Sequence, residues 1–429
     1  MGFLSRFAGA GFVPMLISYM GSGGALLASS AAQLLTFAIL ARYLGVEQFG
    51  LYAVITAITN VGVQLCGLGA QESLVRRVAQ DRAMFPAMLG HAYILSAASG
   101  LALVALGMII LPLAAPVSAD LVTTLTASAV ILVTNIILLK IISLSTQSFI
   151  AHSRFATANT IEIALAVTRT IAAVLGCMAF GVSTVADWAW WHFGAHLVVA
   201  ILALWALRAY GRPRLTIVRD EIRIGFLFST QFLFKAIRGN ADLLVLGAVA
   251  SSEILGSYSV ARRILESSYL SVEALNRLIY PGSAARAVGG VHHAYERTRK
   301  VAIASAVIAT GSAVAIFILS PFLPILFGEE YTSLPWLTQA ICWIVIPMGI
   351  YSTALEALGA AGLQGARATI WNTGNMLGAA IVGAATWLAG ITGTLASYYL
   401  VEIAIAVAAW WVLLHYVGAH RARSAALAE

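Results

Sequence analysis

ARYLGVEQFGLYAV, residues 41 to 54, returns in the second half of the chain as GAVASSEILGSYSV, residues 247 to 260. The two align without a gap, matching Glu47 with Glu253, Gly50 with Gly256, Tyr52 with Tyr258 and Val54 with Val260, so both carry the spacing E-x-x-G-x-Y-x-V. Further on, SRFATANT from Ser153 aligns with ARATIWNT from Ala366, matching Arg154 with Arg367, Asn159 with Asn372 and Thr160 with Thr373. Two matches in the same order at nearly the same offset indicate an internal duplication.

The sequence around both copies is apolar enough to live in a bilayer. Of 429 residues, 60% are hydrophobic and only 10% are charged, and the mean hydropathy is +0.90, far outside the soluble globular range. Apolar runs of about 20 or more residues recur along the whole length. They read as spans at 16–41, 49–74, 85–111, 121–145, 157–180, 187–208, 224–250, 254–281, 301–327, 334–361, 369–389 and 393–416. The expected fold is therefore an all-α polytopic membrane protein of about 12 transmembrane helices. The repeat divides it into an N-terminal lobe at 1–210, a basic cytoplasmic linker at 211–223 and a C-terminal lobe at 224–429.

Orientation follows from where the basic residues fall. Connections with Arg76, Arg77 and Arg82, then Lys140 and Arg154, then Arg208, Arg212, Arg214, Arg219 and Arg223, then Arg286, Arg297, Arg299 and Lys300, alternate with connections nearly free of Lys and Arg, Arg42 excepted. The positive-inside bias puts both termini in the cytoplasm. An even number of spans per half makes the repeat parallel, with six helices to a lobe and a substrate site expected between lobes near the midplane. Trp188, Trp190, Trp191, Trp336, Trp387, Trp410 and Trp411 fall near span ends, where interfacial anchors belong.

Other classes of function find little support. The +7 net charge sits mostly in short loops, a topology signal rather than a nucleic-acid footprint. Cys66, Cys177 and Cys342 are widely spaced in apolar segments and read as small core residues, with no disulfide framework or zinc site. His192 and His196 have the spacing of a metal pair, but Asp187 is not an obvious third ligand; an interfacial role is expected, and no metal. The N-terminal apolar stretch runs on into the first span and reads as uncleaved. No nucleotide-binding loop, nucleophile elbow or metal-ligand cluster is recognisable, so the chain is expected not to be an enzyme and to need no cofactor.

FAILARYLGVEQFGLYAVITAI, residues 37 to 58, resembles the opening signature of the polysaccharide transporter family, and DLLVLGAVASSEILGSYSVARRI from Asp242 to Ile264 is similar to that family's second-half segment. The family includes O-antigen and exopolysaccharide flippases and belongs to the multidrug, oligosaccharidyl-lipid and polysaccharide exporter superfamily. The resemblance implies two lobes around a central cavity with basic residues. It further implies a flippase that moves an undecaprenyl-pyrophosphate-linked oligosaccharide across a bacterial cytoplasmic membrane for surface polysaccharide assembly, with polysaccharide polymerase and export machinery as partners. A drug or cation antiporter of the same superfamily is the first alternative; a membrane polymerase or glycosyltransferase is disfavoured by the short outer loops.

The candidate site residues are the charges inside spans, each costing roughly 2.5 to 3.5 kcal/mol at a helix centre on translocon scales. Lys235, Arg238 and Asp242 share a face of the seventh span, and Arg262, Glu266, Tyr269, Glu273 and Arg277 form a stripe on the eighth. Arg238 with Asp242, Arg262 with Glu266, and Glu273 with Arg277 have the spacing of intrahelical ion pairs. Lys235 and Arg263 are left as candidates for an anionic pyrophosphate, the rival being cross-helix pairing with Glu356 or Glu402. Those two acids and Asp242 are the candidates for coupling to a proton or sodium; membrane potential is the other driving force to consider. Across the spans, Arg169, Lys235, Arg238, Arg262, Arg263 and Arg277 are offset by Glu162, Asp242, Glu266, Glu273, Glu356 and Glu402. In the second span, Thr56, Asn60 and Gln64 put hydroxyl and amide groups on one face, suited to sugars or to polar packing. Pro347 is expected to kink the tenth span.

Overall fold

The computed structural model describes residues 12–114, 121–287 and 291–426, with the side chains at 12–30, 121, 231, 274–294, 296, 297 and 420–426 left out of the description. Among the described residues the regular structure is all helix, without strands. In hydrocarbon every backbone N–H and C=O must be satisfied within its own segment, which these apolar runs achieve as helices. In chain order they are α1 (Phe12–Leu65), α2 (Ala70–Gln80), α3 (Phe85–Ala114), α4 (Leu121–Leu132), α5 (Leu139–Ala151), α6 (Phe155–Val174) and α7 (Val185–Leu207). There follow α8 (Arg219–Val249), α9 (Ser252–Ala287), α10 (Val291–Leu319), α11 (Leu323–Phe327), α12 (Leu334–Ile341), α13 (Val345–Ala360) and α14 (Gln364–Ala426).

A helix stands at every expected span. Eight stretches among the described residues are long and apolar enough to cross a membrane. Two of them are bent double spans: α1 turns at Gly45 (φ 72°, ψ 169°) and α14 at Ala389 and Gly390. Gly45 lies inside the repeated motif, at a backbone angle that a Cβ would strain. The helices α8 and α9, of 31 and 36 residues, are long enough to span but carry the intramembrane charges.

Several spans are interrupted, and each interruption has a local cause. The second span breaks between α1 and α2 because Gly67, Leu68 and Gly69 all take positive φ (79°, 46° and 72°). At Gly69 a Cβ would come within 1.8 Å of the Gly225 carbonyl oxygen, so only glycine lets the start of α8 pack there. The fourth span contains a π-helical turn, Val133–Leu138, between α4 and α5, and the fifth ends in another, Leu175–Ala179. In the tenth, a 3₁₀ turn at Cys342–Ile344 separates α12 from α13, and Pro347 sits in the first turn of α13, where its missing N–H costs nothing.

The chain forms two compact units, Met1–Ala236 and Ile237–Glu429. The first has a core around Leu74, Phe85, Met88, Phe149 and Leu207; the second has one around Tyr351, Leu358, Val401, Ile405 and Leu413. The boundary falls inside α8. Residues 211–223, expected as a linker, are fixed to the first unit: the Arg214 N–H donates to Pro86 O (2.8 Å) and the Val218 N–H to His91 Nδ1 (3.2 Å).

Candidate functional site

In the second unit the charges of α8 and α9 make one ladder. Asp242 is buried; its Oδ1 accepts from Arg262 Nη1 at 2.7 Å and its Oδ2 from the Tyr258 hydroxyl at 2.7 Å. Arg262 also donates through Nη2 to the Gly239 carbonyl and through Nε to Glu266 Oε1 (3.2 Å). Glu266 Oε2 in turn lies 3.4 Å from Arg263 Nη1. The ladder alternates in sign and runs from full burial to an open end, where Arg263 is 34% and Glu266 42% exposed. Charge neutrality at the buried end is what makes it tolerable, because an unpaired ion there would cost several kcal/mol.

These contacts correct the pairing expected from helical spacing. Arg238 does not pair with Asp242; it donates to Glu402 Oε1 on α14 at 2.6 Å, and Asp242 goes to Arg262. The intrahelical pair Arg262 with Glu266 is present. Arg263 is not left over, since Glu266 serves both arginines. Glu356 belongs to Arg367 (3.0 Å), not to Lys235 or Arg263. Arg277 lies outside the described side chains. All three acids expected as ion-coupling candidates thus sit in ion pairs with arginine, although the second oxygen of Glu402, Oε2, is buried without a hydrogen bond. Tyr258, not expected as a site residue, is the tyrosine of the repeated motif, so the sequence did carry a signal for it.

Lys235, on α8, is exposed. An ammonium or carboxylate exposed within a span has to meet water, a headgroup or a ligand, because hydrocarbon cannot solvate it. Arg263 and Glu266, at the open end of the ladder, are partly exposed.

The first unit has a neutral counterpart. Asn60 is exposed and Thr56 and Gln64 half-buried on one face of α1, with the Thr56 hydroxyl turned back to the Tyr52 carbonyl. Behind this face, Asn135 donates to Thr59 Oγ1 (3.2 Å) and accepts at Oδ1 from His192 Nε2 (2.8 Å). His196 Nδ1 is 2.8 Å from the His192 carbonyl, and both rings are buried. The interfacial role expected of these histidines is therefore corrected to a buried one, and so is that of Trp188, which is fully buried a turn away. The π-helical turn is what carries Asn135 to this position, and nothing in the residue pattern announces it.

Of two further buried charges in the first unit, Lys140 was expected in a connection and is not there, and Glu221 is an addition. Lys140 is buried within α5. Glu221, at the start of α8, is 2% exposed; it accepts from Arg76 Nη2 at 2.8 Å on both oxygens and lies 2.8 Å from Arg77 Nε. Among the described residues no group of three or more His, Cys, Asp or Glu side chains could hold a metal. The three cysteines are free and buried, as expected.

With this geometry in hand, the comparisons are specific about family. Residues 22–281, more than half of the chain, match the family described as "Polysaccharide biosynthesis protein". The chain belongs to that family. Among solved structures, an inward-facing multidrug resistance MATE family transporter of the MOP superfamily is similar at a TM-score of 0.75 and 12% identity, over 91% of this chain and 95% of that one. The lipid II flippase MurJ in an inward closed conformation is similar at 0.73 and 14% identity, over 92% of this chain and 87% of that one. No match is found among curated proteins. At such identities the likeness is one of fold: this member of the polysaccharide biosynthesis family is a multi-pass membrane protein with the MOP transporter fold, as the resemblance implied.

Proposed function

We propose that this chain is a flippase for a lipid-linked oligosaccharide, carrying undecaprenyl-pyrophosphate-linked repeat units from the cytoplasmic to the periplasmic leaflet by alternating access. The observation that carries the reading is the set of charged and amide side chains kept exposed or half-exposed inside spans, Lys235 and Asn60 with Arg263 and Glu266, in a member of a polysaccharide biosynthesis family. Such groups oppose membrane insertion and are retained where a polar cargo passes. Arginine offers a planar fork and lysine a compact charge to phosphate; amides offer donors and acceptors to sugar hydroxyls. A MurJ structure described as a lipid II flippase shares the fold, which supports a lipid-linked cargo. The reading takes the protein as a transporter rather than an enzyme, in a bacterial cytoplasmic membrane with both termini inside, serving O-antigen or exopolysaccharide assembly alongside a polymerase. A proton, sodium or the membrane potential drives it.

The test is leaflet sidedness in the native host. After depletion of this protein, spheroplasts are treated with a membrane-impermeant oxidant of glycans and the protected lipid-linked saccharide is compared with that of the undepleted strain. The expected result is accumulation of a protected, inward-facing pool. An unchanged protected fraction in a strain without a redundant transporter overturns the reading and favours the drug or cation antiporter.

A further inference from the structure

The duplication allows the two halves to be compared position by position. Carried along the gapless register of the repeated motif, buried Asp242 falls on buried Thr36, Tyr258 on Tyr52, Arg262 on Thr56, Arg263 on Ala57, and half-buried Glu266 on exposed Asn60. The backbone pattern is kept and the tyrosine is kept, but every charge of the α9 ladder is replaced in α1 by a neutral residue. Thr36 fills the place of the buried carboxylate with a hydroxyl 2.9 Å from Thr170 Oγ1. Gln64 then extends the α1 face by one more turn with a second amide.

Two copies of one element that retain their fold and diverge in charge now present different chemistry. A neutral face of amides and a hydroxyl discriminates poorly among ions, since it offers no charge to offset dehydration of a phosphate. It suits a glycan, whose hydroxyls each donate and accept and are matched by the paired donor and acceptor of Asn and Gln. The open end of the α9 ladder has the reverse character. Arg263 shares Glu266 with Arg262 over a 3.4 Å contact, a long and half-exposed bond that a phosphate oxygen can replace.

We infer that the α1 face of Thr56, Asn60 and Gln64 is the glycan-recognising surface of the first half of the duplication, and that the second half, through Arg263 at the open end of its ladder, recognises the anionic group. This rests on the flippase reading and adds to it that sugar selectivity and phosphate recognition belong to different halves of the duplicated fold. Changing which sugars are carried then requires substitutions in the first half of the chain.

The test uses the purified full chain and two probes in native mass spectrometry: undecaprenyl pyrophosphate without sugar, and the lipid-linked saccharide extracted from the host. Wild type is expected to bind the saccharide-bearing lipid more tightly than the bare one. Asn60→Ala/Gln64→Ala is expected to lose that preference, by on the order of tenfold for the hydrogen bonds removed, while binding bare undecaprenyl pyrophosphate as wild type does. Arg263→Ala is expected to weaken both lipids alike and keep the preference. Asn60→Asp/Gln64→Glu, which preserves shape, guards against a packing effect and is expected to lose the preference too. Retention of the preference in both α1 variants, or its loss in Arg263→Ala, overturns the inference and leaves the flippase reading standing. A wild type that binds neither lipid overturns both.

Discussion

Asp242 and Arg262 meet across α8 and α9 at 2.7 Å, both almost wholly excluded from solvent, with the Tyr258 hydroxyl on the other carboxylate oxygen. The pair ties the first helix of the second unit to its neighbour at a depth where neither ion could be hydrated. Arg262→Met therefore strands a buried carboxylate and is expected to destabilise the protein by about 3 to 5 kcal/mol. Asp242→Asn/Arg262→Met removes both charges and is expected to recover most of that loss. Thermal unfolding of the purified variants checks this; equal losses in the single and double variants would mean the pair is not what stabilises the contact.

Glu221 joins the beginning of α8 to Arg76 and Arg77 on α2, close to where Gly69 and Gly225 let the backbones touch. Hydrogen bonds to charged groups contribute about 1.5 to 3 kcal/mol each, but here both arginines are more than a third exposed on the side-chain scale and can rehydrate. The expected loss for Glu221→Gln is accordingly about 2 kcal/mol rather than the full sum. Limited proteolysis across residues 211–218 reports it independently: cleavage there is expected to be faster in the variant than in wild type.

What was legible from sequence followed from period and composition. Apolar length gave each span, and the motif shared by Tyr52 and Tyr258 gave the duplication. The 3.6-residue period also put Lys235, Arg238 and Asp242 on one face. It could not say which neighbour that face meets, and for this reason Arg238 was expected to pair with Asp242 when Glu402, far away in sequence, is its partner. Burial of His192, His196 and Trp188 was hidden for a related reason: a residue near the end of an apolar run can face either the interface or another helix, and packing decides. Lys140 was misread because the broken second span and the π-helical turn beside it, which shape its surroundings, leave no periodic trace.

Glu253 gives a pH signature outside the spans. Its carboxylate accepts from Thr332 Oγ1 (2.5 Å) and Ser333 Oγ (2.9 Å), and these hydroxyls, Thr332 foremost, hold the carboxyl below its usual range. A folded value below the unfolded one, which is about 4.3, adds stability that is complete above the unfolded value and is lost as pH falls through the folded one. Glu253→Gln keeps an acceptor for both hydroxyls but cannot titrate. Melting temperatures of wild type and variant are expected to converge as pH is lowered from 6 to below about 4; a constant gap across that range would exclude this carboxylate as the source.

Lys235 and Arg263 separate function from folding. Lys235 is exposed, and Arg263 is one-third exposed with a partner, Glu266, that Arg262 also satisfies. Replacing either with alanine removes little from the folded state, within about 1 kcal/mol as for exposed ion pairs. If these side chains meet the pyrophosphate, the same replacements remove charge-assisted hydrogen bonds from the cargo, so Lys235→Ala and Arg263→Ala are each expected to reduce export and together to abolish it at normal protein level. Membrane abundance and melting temperature, measured beside surface polysaccharide in a complemented deletion strain, distinguish the two effects. Full export by the double variant at wild-type abundance would remove both residues from the site, and loss of export together with loss of protein would assign them to folding instead.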